Sequence, residues 1–238
     1  MGLDVYVGSL TRYYTGQWET VVQQYGREQG LKVEVLRVNE PEDVVTDVDQ
    51  VSAAVHAWMG ALGRSLAPHL DDGAEFAWED TIEQPYFTDK PAWDCYGSLM
   101  LWAAYAEQPE LRCPLEHVEG WPNDPAVLAS QAKESGTHFP HLLCDIELWL
   151  PVDFPFTFQG PDVAGNTVGI GSCQELHREL ALLNEMTWNA DDELRARWRR
   201  EGAKHQSPVE TGARFVFSIF RELSERAVEH RLPMKLDY

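Results

Sequence analysis

The sequence predicts an α+β fold: a small mixed or antiparallel sheet of about four to five strands, covered by about six to seven helices. Two observations carry that expectation. Short stretches alternate apolar and polar residues with the period of a strand, at the N-terminus and again after residue 140. Between and after them run longer segments with helical spacing, several opened by Ser, Thr or Asp and closed by Gly. The order reads β-α-β, several helices, two or three strands, then three helices. No Pro/Gly/Ser-rich linker divides residues 1–238, so a single globular domain is expected.

The elements follow in order. Leu3, Val5 and Val7 alternate with Asp4 and Tyr6, which predicts a half-buried strand. Residues 16–29 place Trp18, Val21, Val22 and Tyr25 on one helical face, closed by Gly30. Leu31–Val38 is rich in β-branched residues and predicts a second strand. Thr46 is placed to cap a helix running to Leu66, with Val48, Val51, Val55, Trp58, Met59, Leu62 and Leu66 inward. Residues 67–90 form a long acidic loop. Asp89 and Pro91 then open a helix to about Glu107, and Asp124-Pro125 opens a short one ending near Gly136. Leu142 to Phe154 keeps apolar residues on one parity and Asp145, Glu147 and Asp153 on the other, which predicts a long strand broken at Pro151. Gly160-Pro161 reads as a turn and Thr167–Ile170 as a short strand. Ser172 and Glu175 form a capping box for a helix to about Trp188. A basic helix spans residues 191–203. Ser207 and Glu210 suggest a second capping box, opening a helix whose apolar residues from Val209 to Ala227 lie on more than one side. That breadth suits a core helix better than a coiled coil.

Charge is the unusual feature. The chain carries 39 Asp and Glu against 19 Lys and Arg, a formal net of −20. Such a balance opposes nucleic acid, whose phosphates need clustered basic side chains, and an anionic membrane surface. The charge is also polarised: residues 191–238 hold 10 of the basic and 9 of the acidic residues, so the excess acid lies before them. It concentrates in residues 39–49 and 67–94, interleaved with Phe76, Trp78, Tyr86, Phe87 and Trp93. No apolar stretch is long enough to cross a bilayer. No basic-then-apolar leader opens the sequence. Cys95, Cys113, Cys144 and Cys173 form no CxxC. A cytoplasmic protein with reduced thiols is therefore expected.

Four constellations could carry chemistry. His138, His141, Asp145 and Glu147 offer two imidazoles and two carboxylates, a donor set suited to a divalent metal and to metal-dependent hydrolysis. They lack the helical HExxH spacing. Gly169-Ile170-Gly171-Ser172 precedes a helix and resembles part of a phosphate loop. Gln174 stands where the dinucleotide fingerprint needs Gly, and no phosphate-loop Lys is present. Residues 85–96 crowd Tyr86, Asp89, Lys90, Trp93, Asp94 and Tyr96, and with Trp78 they suggest a binding surface for a small molecule or a protein. Arg12 beside Tyr13 and Tyr14 could meet an anion. No GxSxG nucleophile elbow occurs.

With no complete catalytic motif, the expected function is non-enzymatic and no cofactor is expected apart from that divalent metal. The acid would steer a basic protein partner and the aromatics would anchor it. In composition alone this resembles an inhibitor or immunity-type protein. The alternatives are the metal-dependent hydrolase and a small-molecule binder at residues 85–96. The basic 191–204 helix would serve as an internal or homo-oligomeric counter-surface.

Overall fold

A computed structural model describes residues 3–31, 47–70, 76–132 and 136–237. Its centre is a six-stranded mixed sheet built from β1 (Asp4–Val7), β2 (Phe87–Asp89), β3 (Leu148–Leu150), β4 (Phe158–Pro161), β5 (Thr167–Ser172) and β6 (Met234–Asp237). The spatial order is β2-β1-β6-β3-β5-β4. Every neighbouring pair is antiparallel except β3 and β5. The described helices are α1 (Leu10–Tyr14), α2 (Val21–Glu28), α3 (Val48–Leu66), α4 (Trp93–Ala106), α5 (Pro125–Gln131), α6 (Pro140–Leu143), α7 (Cys173–Met186), α8 (Asp192–Glu201) and α9 (Val209–His230). The α+β class stands, with six strands and nine α-helices among the described residues, more of each than expected.

The period-two alternation of strands splits the apolar residues between two cores. Leu3, Val5, Val7, Trp149, Met234 and Leu236 face α4, α7 and α9. Leu148, Leu150, Val168 and Ile170 face the other way, toward Val55, Met59, Leu62 and Leu66 of α3 and toward Trp78 and Phe154. Register ties the sheet together: Val5 pairs with Leu236, Leu148 with Lys235 and Ile170. The long α9 is buried along much of its length against α4, α7 and α8, a core helix as its breadth of apolar residues predicts.

Several local expectations change. The helix expected over 16–29 begins only at Val21, because Thr20 and Gln23 form the capping box. Its Val22 and Tyr25 are exposed rather than inward. Asp47 caps α3 by accepting from Asp49 N at 3.0 Å. Asp89 lies in strand β2, so it does not cap α4, whose N-cap position is Ala92. The expected strand over 142–154 is mostly replaced. Pro140 opens α6, Asp145 turns the chain at φ 53°, and only Leu148–Leu150 remain as strand. Phe158–Pro161 is a strand, and the turn falls at residues 162–166, where Gly165 has φ +86°. Ser207 accepts from Lys204 N instead of capping α9. The strand expected over 31–38 and the acidic residues 39–46 and 71–75 lie outside the described residues, apart from Leu31.

Candidate functional site

A concavity lies under the α4 face, at the end of the sheet where β3 begins and β6 finishes. Its first wall is aromatic. α4 starts at Trp93, and one turn brings Tyr96 beside it, with ring centroids 5.6 Å apart. Trp121 completes the group from a short 3₁₀ turn entered through Gly120 at φ +68°. Its centroid is 5.5 Å from Trp93 and 5.8 Å from Tyr96. The Trp121 ring fits because α4 carries glycine at 97. A Cβ there would stand 2.5 Å from the ring Cγ and closer still to Cδ1 and Nε1.

The opposite wall is acidic. Asp145 and Glu147 enter from the segment before β3. Gly169 lets that segment approach β5, since a Cβ there would overlap the Asp145 carbonyl and lie 2.8 Å from its carbon. Glu147 N donates to Gly169 O at 3.0 Å, and Leu236 N donates to Glu147 O at 2.9 Å, so the Glu147 backbone is held from both neighbouring strands. Asp145 is exposed and Glu147 half-buried. Neither carboxylate has a hydrogen bond or ion pair to another described residue. Gln131 and Gln159 close the sides. The cavity they enclose is about 250 Å³.

α6 forms the floor with Leu142 and Leu143, and two buried polar groups hold it. Glu179 of α7 accepts from His141 N and Leu142 N, both at 2.9 Å. Burial pushes its carboxyl up to about 9, although those two amides pull it down. His141 is itself buried, and Nδ1 accepts from Ser172 N at 2.9 Å. Burial lowers its pKa to about 4, so the ring is neutral near pH 7. The Gln131 amide donates to Leu143 O at 2.7 Å. Next to Trp93 in the chain, and outside the pocket lining, Asp94 accepts from His205 Nδ1 at 2.8 Å and Gln206 N at 2.6 Å. Burial would raise its pKa, but those two partners lower it.

This arrangement redistributes the residues that the sequence singles out. Trp93 joins Asp145 and Glu147 in one pocket. The four metal candidates do not assemble, and no group of three or more His, Cys, Asp or Glu that could hold a metal occurs among the described residues. His141 sits on a helix, committed to Ser172, and His138 is exposed, its amide donating to Glu107. The parity argument fails because residues 140–147 are not a strand. The six expected binding residues scatter as well. Trp78 packs between Phe76 and Trp58 on the other face of the sheet. Tyr86 lies against Tyr6 and under the Arg12 guanidinium. Asp89 pairs with Arg199 and Lys90 with Asp4. Arg12 donates to the Gln17, Ile82 and Gln84 carbonyls. Ser172 caps α7 at Glu175 N, and Gly169 serves the close approach to Asp145, so the glycine pair needs no phosphate.

Sequence reasoning missed Trp121, Gln131 and Gln159. A glycine inside the apolar run of α4 is the one local signal, since it marks a close approach. Chemically, the pocket is lined by three aromatic rings and two carboxylates, a setting that suits an organic cation. No family model, curated protein or solved structure matches the chain.

Proposed function

We propose that this is an acidic protein-binding protein, of the inhibitor or immunity type, that captures a basic partner by seating a lysine or arginine side chain between Trp93, Tyr96 and Trp121 and the carboxylates of Asp145 and Glu147. The observation that carries this reading is the pocket itself, three mutually contacting rings facing two carboxylates that no other described residue neutralises. The net charge of −20 adds long-range steering toward a basic surface. Trp93 is 39% exposed, as an anchor at a pocket mouth must be before binding. The reading places the protein in the cytoplasm, in keeping with four free cysteines. No described helix is long and apolar enough to cross a membrane.

Calorimetric titration with short peptides carrying one central Lys, Arg, Gln or Glu tests the proposal. The Lys and Arg peptides should bind, more weakly as salt rises. Trp93→Ala and the pair Asp145→Asn, Glu147→Gln should each weaken binding by about tenfold or more. Equal binding of the Gln and Lys peptides would overturn it.

A further inference from the structure

On the other face of the sheet, at the same end, lies a second cavity of about 310 Å³. Lys235 of β6 reaches into it with a side chain only 8% exposed. Its nearest charged partner is Asp162, whose Oδ2 is 3.8 Å from Nζ, beyond hydrogen-bond distance. Asp162 is already engaged: Tyr14 OH donates to Oδ2 at 2.9 Å and Asn166 N donates to Oδ1 at 2.9 Å. The Tyr13 ring lies 5.4 Å from Nζ and offers its π face. The ammonium thus has no hydrogen-bond acceptor among the described residues, at the end of a side chain that is 8% exposed. Such a charge is costly to bury and gains most from a ligand oxygen.

The rest of the lining constrains what that ligand is. Glu147 and Asp237 border the same cavity, and neither carboxylate has a hydrogen bond or ion pair to another described residue. Asp237 stands two residues beyond Lys235 on the same face of β6, about 7 Å away along the strand. A simple anion would meet Lys235 but be repelled by three carboxylates. A simple cation would meet the carboxylates but be repelled by Lys235. A small molecule with both charges a few ångströms apart satisfies both sides.

We propose that this cavity binds a free α-amino acid, its carboxylate on Lys235 and its ammonium toward Asp237. Asn166 and Thr167 supply further polar contacts at the β4–β5 turn. The site is separate from the aromatic pocket, though Glu147 and Leu236 border both, so a metabolite in one could be sensed beside a partner in the other.

The test is calorimetry and thermal shift on the intact chain with glycine, alanine and serine. Ethylamine and propionate, which each carry one of the two charges, serve as controls. Titrations repeated on Trp93→Ala separate binding in this cavity from an ammonium group entering the aromatic pocket. At least one amino acid should bind and raise the melting temperature, with both controls at least about tenfold weaker. Lys235→Met should reduce amino-acid binding by about tenfold or more while leaving binding of the Lys peptide intact. If Lys235→Met does not fold, Asp237→Asn carries the test with the same expected loss. Absence of binding by all three amino acids, controls that bind equally well, or a folded variant that binds like the parent would overturn the proposal.

Discussion

Replacing Gly97 by alanine probes the aromatic wall with one methyl group. The added carbon would stand 2.5 Å from Trp121 Cγ and closer to two further ring atoms, so the ring must move. It has little room. Trp121 is 8% exposed, with Trp93 at 5.5 Å and Tyr96 at 5.8 Å between centroids, and Tyr96 in turn rests on Phe220 at 5.7 Å. Overpacking of this kind costs about 1–3 kcal/mol. A cost near 2 kcal/mol lowers the melting temperature of a chain this size by about 4–8 °C. The displaced ring also deforms the pocket, so binding of the Lys peptide should weaken together with stability. Urea unfolding, near-ultraviolet circular dichroism and the peptide titration read the three effects. A Gly97→Ala protein within about 0.5 kcal/mol of the parent, with an unchanged aromatic spectrum, would refute the packing argument.

Three further outcomes follow from the buried polar groups. His141 has a folded pKa near 4, below its unfolded value of 6.5, so its contribution is complete above pH 6.5 and is lost as pH falls toward 4. That loss is on the order of 3 kcal/mol, and the stability slope over this window should shrink in His141→Asn when both proteins are unfolded in urea across the range. Glu179 shifts the other way: its folded value near 9 exceeds the unfolded 4.5, so stability is complete below pH 4.5 and declines as pH rises through 9. Glu179→Gln should flatten that alkaline limb in the same assay. Asp80 accepts from Leu10 N at 2.7 Å and Thr11 N at 2.9 Å while 1% exposed, so Asp80→Ala should cost about 1–3 kcal/mol by urea denaturation, having stranded two buried amides.

The sequence was most legible where local chemistry and tertiary packing agree. Asp124-Pro125 opens α5 as expected, and Leu176, Leu180 and Leu183 of α7 are buried as their spacing predicts. The misreadings have physical causes. Residues 142–154 alternate like a strand, but Pro140 nucleates a helix and Asp145 adopts a left-handed turn, and nothing in the parity reports either. β2 and β6 have three and four residues, too few for a periodic signal, and β6 gains its place by pairing with both β1 and β3. Trp93, Asp145 and Glu147 each stood out in the sequence, but about fifty residues separate the ring from the acids, and only the fold joins them. Glu179 looks like an ordinary helical glutamate, because its partners His141 and Leu142 lie on another element.

The claim that the aromatic and acidic pocket receives a basic side chain is tested most directly by the indole N–H resonances of the nine tryptophans as a lysine-bearing peptide is added. Trp93 and Trp121 line the pocket, whereas Trp58 and Trp78 sit on the far face of the sheet. Saturable shifts of the Trp93 and Trp121 signals, with Trp58 and Trp78 unmoved and no response to the matching glutamate peptide, are the predicted result. Shifts spread over both faces, or none at Trp93 and Trp121, would contradict it.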